Sequence, residues 1–162
     1  MAVPSLSLAD HVCLAVIAER RTHGWAVVKL LAPDGEIGRI WSLSRALTYR
    51  SIDRLVEFGL VDRSEAGRRA ELRITPAGRR RRRTWLERPV EHLRDLRTEF
   101  LLKLELCRRS GIDTGALIAS QRVQLAPAIA ALTDGQPADA VALWRHESAQ
   151  GAARFLRRID TT

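Results

Sequence analysis

"SLSRALTYRSIDRLVEFGLVDRSEAGRRAELRITPAGR", residues 42–79, is the stretch whose reading decides the fold. Ser44 has a hydroxyl that can accept from the free N–H groups of a helix start, and Gly59 is the residue type that most readily closes a helix. Between them Thr48, Ile52, Leu55 and Val56 recur at three- and four-residue spacing, with Ala46, Arg50, Asp53, Arg54 and Glu57 opposite. That spacing predicts an amphipathic helix whose solvent face is basic at its beginning. After Gly59 the pattern changes: Leu60 and Val61, a polar tip over "EAGRR", then Leu72 and Ile74. Such a pattern predicts a β-hairpin with basic residues at its tip. Thr75 and Pro76 follow as a cap and first-turn proline, which puts the arginine run Arg79 to Arg83 on a further helix. Successive residues there fan round by about 100°, so the five arginines cannot all face one ligand. Arg81 and Arg82 fall on the side of Trp85 and Leu86, leaving Arg79, Arg80 and Arg83 to solvent.

Upstream, two more helices are expected. "SLADHVCLAVIAER" has Ser7 and Asp10 in capping-box order and places Leu8, Val12, Val16 and Ile17 towards a core. "THGWAVVKLL" takes Thr22 or His23 as its cap, with Ala26, Val27, Leu30 and Leu31 as the apolar side, and stops before "PDGEIG". Three helices followed by a hairpin are the order of a winged helix-turn-helix, in which the third helix enters the major groove and the wing reaches phosphates or the minor groove.

Charge agrees with that order. The 162 residues carry a formal net charge of +8. Residues 1–88 hold 17 basic against 10 acidic side chains, and residues 89–162 hold 10 against 9, so an anionic partner belongs to the first half. The N-terminus lacks the basic and apolar regions of a secretory signal, and no apolar run reaches membrane-spanning length, so a cytoplasmic protein without a membrane partner is expected. Cys13 and Cys107 read as buried free thiols, and His11, His23, His92 and His146 show no ligand-like spacing, so neither metal nor cofactor is expected. A clustered nucleophile, base and orienter is missing, as is a glycine-rich phosphate loop, which disfavours an enzyme.

Beyond Pro89 the chain is near-neutral and helical. "PVEHLRDLRTEFLLKLELC" predicts one long helix with Leu93, Leu96, Phe100, Leu104 and Cys107 on a continuous stripe. Residues 114–133 predict a second helix, interrupted or kinked at Pro127, and "DGQPADA" a turn. A last helix is expected to carry Val141, Trp144, Ser148, Ala152, Phe155 and Ile159 on one side. The division is therefore into a DNA-binding domain, residues 1–88, and a helical dimerisation and effector domain, residues 89–162. The fold class is mainly α with a small β-hairpin.

"HGW", "IWSLSRALTYRSIDRLVEFGLV" and "RITPAGR" together resemble the PadR family of transcriptional regulators. That family's pattern reads approximately HGY, then W-x-L-S-P-G-T-L-Y-P-A-L-x-R-L-E-x-x-G-L, then Y-x-L-T-P-A-G-R. "RPVEHLRDLRTEFLLKLEL" and "LIASQRVQLAPAIAAL" look like its C-terminal helical segments, so the resemblance covers nearly the whole chain. It implies a dimeric regulator, acting as a repressor on an inverted-repeat operator in double-stranded DNA and responsive to small aromatic or drug-like effectors. A winged-helix adaptor that binds protein rather than specific DNA is the alternative. Departures fall in the recognition helix, in the second helix and in the wing. Arg45 and Ala46 replace the family's Pro-Gly, Thr48 replaces Leu, Tyr49 is retained, Trp25 stands where tyrosine is usual, and "GRRAE" replaces a wing Arg-Pro-Arg-Lys.

The expected DNA contacts are accordingly Ser44, Arg45, Tyr49, Arg50 and Arg54 on the third helix and Arg68 and Arg69 at the wing tip. Arginine forks suit guanine O6 and N7 near the helix start, while Arg54, further along, suits phosphate. Asp53 must accept from cytosine or pair with Arg50 or Arg54. Trp25 is expected to pack rather than touch DNA. Effector contacts are assigned to Trp85 and Trp144, and dimer contacts to Leu93, Leu96, Phe100, Leu104, Trp144 and Phe155.

Overall fold

A computed structural model of the chain describes residues 5–64 and 70–159. Its first helix, α1 (Leu8–Glu19), starts in the expected capping box: the Asp10 N–H donates to Ser7 Oγ at 3.2 Å and the Ser7 N–H to Asp10 Oδ2 at 2.9 Å. Residues Val12 to Ile17 are buried without interruption rather than on one stripe. The reason is position: α1 is the central rod, packed by the third, fourth and fifth helices and by the sheet.

Thr22 and His23 do not act only as a cap. They form a short strand β1 that precedes α2 (Gly24–Leu31), and the His23 side chain makes no capping bond. The loop to α3 (Arg45–Glu57) folds back to bury Ile37 and Leu43. Strands β2 (Val61–Arg63) and β3 (Glu71–Ile74) form the hairpin, and β1 adds antiparallel to the far side of β3, giving the order β1-β3-β2. Register pairs Thr22 with Leu72 on one edge and Val61 with Ile74 on the other. Gly59 has φ +65°, the left-handed conformation that turns the chain out of α3 into β2.

Helix α4 (Pro76–Glu87) begins where the sequence places it, with Thr75 Oγ1 accepting from the Gly78 N–H at 3.0 Å. Arg79, Arg80 and Arg83 face solvent, and Arg81 and Arg82 are half-buried. Arg82 donates to Ser110 Oγ at the end of the fifth helix.

The second half departs from the expected single stripe. A 3₁₀ turn (Leu93–Arg97) and a break at Thr98, with φ −124° and ψ −81°, precede α5 (Glu99–Arg109). The break lets α5 serve two cores at once. Leu102, Leu106 and Cys107 close the core of the winged module, whereas Leu96 and Phe100 join Val90, Leu117, Ile118, Leu125 and Leu156 in a second cluster. Ion pairs fasten the first of these contacts. Arg109 grips Glu19 through two bonds of 2.8 Å and also holds Glu36, while Arg39 and Arg108 share Glu105 at 3.3 and 2.6 Å. The Arg108 guanidinium beside Glu105 holds that carboxyl below its usual range.

Helix α6 (Gly115–Thr133) runs through Pro127, so of the two expected outcomes there, interruption or a kink, the interruption does not occur. Gln121 from α6 is buried and clips the inter-core linker, accepting from the Val90 N–H at 2.7 Å and donating to its carbonyl at 2.9 Å. Helix α7 (Ala140–Arg158) lies along α6, and Ala152, Phe155 and Ile159 of the expected stripe pack against the second cluster. Ala149 and Leu156 are its buried residues, and Val141, Trp144 and Ser148 are exposed. Small side chains at Ala149 and Ala152 let α7 approach α6, so the C-terminal half of the expected stripe packs against the second cluster while its N-terminal half stays open.

Candidate nucleic-acid interface

The first turn of α3 is built by its cap. Ser44 Oγ accepts from the Leu47 N–H at 3.3 Å, which leaves other N–H groups at the helix start pointing outward, and no acidic side chain occupies that turn. A positive residue at this end opposes the helix dipole by about 0.3–1 kcal/mol at an exposed site. Arg45 nevertheless stands there as the first helical residue, exposed, with its guanidinium carbon 5.5 Å from the Trp25 ring centroid and 5.8 Å from that of Tyr49. Arg50, one turn on, is also exposed. Among the described residues neither has a carboxylate partner.

Arg54 differs. Its guanidinium lies 3.5 Å from the buried Asp10 carboxylate, donates to the Ser5 carbonyl and sits over the Phe58 ring. The same capping aspartate that starts α1 therefore engages the last arginine of α3, and Arg54 is turned towards α1. Asp53 pairs with neither Arg50 nor Arg54: its partner is Arg63 of β2 at 2.6 Å, joining α3 to the hairpin. Sequence reading missed Arg63, because the pair spans ten residues and a turn, and nothing local signals it. Arg68 and Arg69 lie outside the described residues.

Tyr49 is half-buried and lines an open groove of about 410 Å³ between α3 and the sheet, together with His23, Trp25, Asp53, Arg63 and Leu72. Its ring leans on Gly24 so closely that a Cβ there would come within 2.6 Å of Cε1. This explains the glycine of "HGW" by close approach. Trp25 is 49% exposed, not the packing residue expected from sequence. A tryptophan at the surface beside an arginine is an aromatic face in use.

Trp85 and Trp144 do not share a pocket. Trp85 is buried, stacked on His11 at 4.9 Å, with Nε1 donating to Glu99 Oε1 at 2.9 Å and the Lys103 ammonium 5.1 Å from its ring. Burial lowers the Lys103 pKa against the pull of Glu99, and it pushes His11 down to about 4 with help from Arg81. Trp144 is 74% exposed and borders a separate apolar groove of about 520 Å³ with Leu93, Leu96, Leu101, Ala152 and Phe155. Of the residues assigned to dimer contacts, Phe100 and Leu96 are buried within the chain itself, and Phe100 meets Phe155 edge-on at 6.4 Å. Leu93, Leu104 and Phe155 are half-buried against the same cluster, so Trp144 is the most open of the set.

Three helices, a capped third helix and a three-stranded sheet closing against it define a winged helix-turn-helix, here extended by a helical segment. The chain is similar to two solved structures. One is Bacillus subtilis PadR in complex with operator DNA, at 16% identity over 93% of this chain and 97% of that one, with a TM-score of 0.46. The other is Bacillus subtilis PadR in complex with p-coumaric acid, at 15% identity over 96% and 98%, with a TM-score of 0.49. No protein-family model matches the chain, and no curated protein matches it. No helix among the described residues is long and apolar enough to cross a membrane.

Proposed function

We propose that the protein is a DNA-binding transcriptional regulator that uses α3 to read the major groove. The observation that carries this reading is the pair Arg45 and Arg50: both exposed, both without a carboxylate partner among the described residues, on the capped half of a helix flanked by a hairpin. Neighbouring arginines are engaged instead, Arg54 by Asp10 and Arg63 by Asp53. Two uncompensated forks at a helix start suit base edges, and Arg68 and Arg69 in the wing sequence suit phosphates. Ser44 supports the reading by leaving helix-start N–H groups open to a phosphate, and Tyr49 by its place in the groove beside the wing.

The regulator acts as a homodimer on an inverted repeat. Val123, Val141, Leu143 and Trp144 remain exposed on α6 and α7, and a second copy of the same pair of helices is the cover this reading assigns to them. Occlusion of a promoter by such a dimer makes it a repressor. The groove beside Trp144 is the effector site in this reading, since an apolar trough walled by an exposed indole suits a flat aromatic molecule. Trp85 has its ring stacked on His11 and its N–H engaged by Glu99, and it borders a separate cleft of about 340 Å³ with Pro89 and Lys103.

Gel retardation with DNA from upstream of the coding region, repeated at two salt concentrations, tests the proposal. A regulator retards one specific fragment, with affinity falling steeply in salt; weak, sequence-indifferent retention supports the adaptor alternative instead. Arg50→Ala is expected to cost about 1–3 kcal/mol on the specific site, while Arg69→Ala weakens specific and random DNA alike.

A further inference from the structure

We propose that Trp25 and Tyr49 form an aromatic shelf that holds the Arg45 guanidinium in one pose for a guanine edge, making Trp25 a positioning residue for base recognition. The inference rests on the DNA-binding reading and adds to it the device that fixes the reader. Arginine is long and flexible, and a free one at a helix start samples many rotamers. Here the guanidinium carbon lies within 6 Å of two ring centroids, the range of a cation–π contact. A guanidinium lying flat on such a ring keeps the N–H groups along its edge unspent, which is the fork that O6 and N7 of guanine accept.

The shelf itself is anchored. Tyr49 is pressed against Gly24, where even a methyl group would collide with its ring, so the phenol cannot swing towards the backbone. Trp25 follows Gly24 as the second residue of α2, which ties its indole to the same corner. It belongs to neither apolar core and leaves half its surface in water, so core packing does not account for a tryptophan there. Competition is also missing: carboxylates capture Arg54 and Arg63 nearby, but none among the described residues captures Arg45. Orientation without neutralisation is what a base-reading arginine requires, because a carboxylate partner occupies the same edge that guanine needs.

The test uses the full chain and duplex DNA selected from a randomised pool, with Trp25→Ala, Trp25→Phe, Arg45→Lys, Arg45→Ala and the Trp25→Ala/Arg45→Ala double variant. Trp25→Ala is expected to lower the ratio of selected to random affinity roughly tenfold, and reselection should show relaxed preference at one base pair per half-site. Arg45→Lys keeps the charge but not the fork and should relax that same base pair. Trp25→Phe should recover most of the ratio, and the double variant should be no worse than Arg45→Ala alone, since both changes remove one contact. The inference is overturned if the double variant shows the two losses added together. It is equally overturned if Trp25→Ala leaves base preference intact, or if Arg45→Lys changes none of it, which would make Arg45 a phosphate contact. Thermal unfolding by circular dichroism identifies a misfolded Trp25→Ala, in which case Trp25→Gln and Arg45→Lys decide by the same base-pair readout. A wild-type chain that selects no sequence overturns the DNA-binding reading, and the shelf falls with it.

Discussion

The winged module and the α6–α7 pair treat apolar surface in opposite ways. In the module, α1 is buried over six consecutive residues, and the core recruits Leu102, Leu106 and Cys107 from beyond the sequence boundary to complete itself. In the α6–α7 pair, Val123 is 76% exposed and Trp144 74%, with Val141 and Leu143 beside them in the sequence also open. One chain finishes the first core and leaves the second half with apolar surface uncovered. The difference is one of closure: the module covers its central helix within the chain, whereas the α6–α7 pair leaves Val123 and Trp144 open. It also places α5 as the shared beam, since its two faces belong to different cores.

The sharpest way to break this comparison is Leu106→Ala. Leu106 is fully buried in the module's core, so truncation is expected to cost about 2–5 kcal/mol in urea unfolding, and a loss below about 1 kcal/mol would separate α5 from that core. Next comes Gln121→Ala. It strips two partners from the Val90 backbone and should destabilise by about 2 kcal/mol, because buried peptide groups left unpaired retain their desolvation cost. Trp144→Asp should leave the circular dichroism spectrum unchanged yet weaken self-association by about 2 kcal/mol, roughly thirtyfold, in sedimentation equilibrium. Equal association of this variant and wild type would remove the α6–α7 face from the proposed dimer.

A smaller effect is expected of pH. His11 titrates at about 4 in the fold against 6.5 when unfolded, because burial disfavours its charged form. Between those values the unfolded chain binds more protons than the native one, so stability falls as pH drops through that window. His11→Gln should therefore lose less melting temperature than wild type between pH 7.5 and pH 5. The smallest effect belongs to Arg80→Ala and Arg83→Ala, exposed on α4, which should change stability by no more than about 0.5 kcal/mol.

Local signals carried far. The cap at Ser44, the capping box at Ser7 and Asp10, the Thr75–Pro76 start and the turn at Gly59 each act within a few residues, and each stands where its sequence implies. The fan of the arginine run was legible for the same reason, since helical periodicity alone distributes it. Non-local pairings were not legible. Thr22 and His23 looked like caps because their strand partner, β3, lies almost fifty residues on. Asp53 found Arg63 across the wing, and Arg54 found Asp10 on α1, neither visible on a helical wheel. The same limit applied to Trp25, whose neighbour Arg45 is twenty residues away and whose exposure depends on where α2 meets α3.

The amino-acid sequence by itself determined the order of elements, the caps that start them, the basic character of the first half and the positions of α3 that point outward. Those properties depend on neighbours one to four residues apart, where backbone geometry leaves few choices. Tertiary structure alone decided which of the outward arginines are neutralised and which remain available, how α5 divides between two cores and which face α7 buries. Each of these is a competition among partners distant in the chain, settled only when packing brings one of them within reach of an ion pair or an apolar contact.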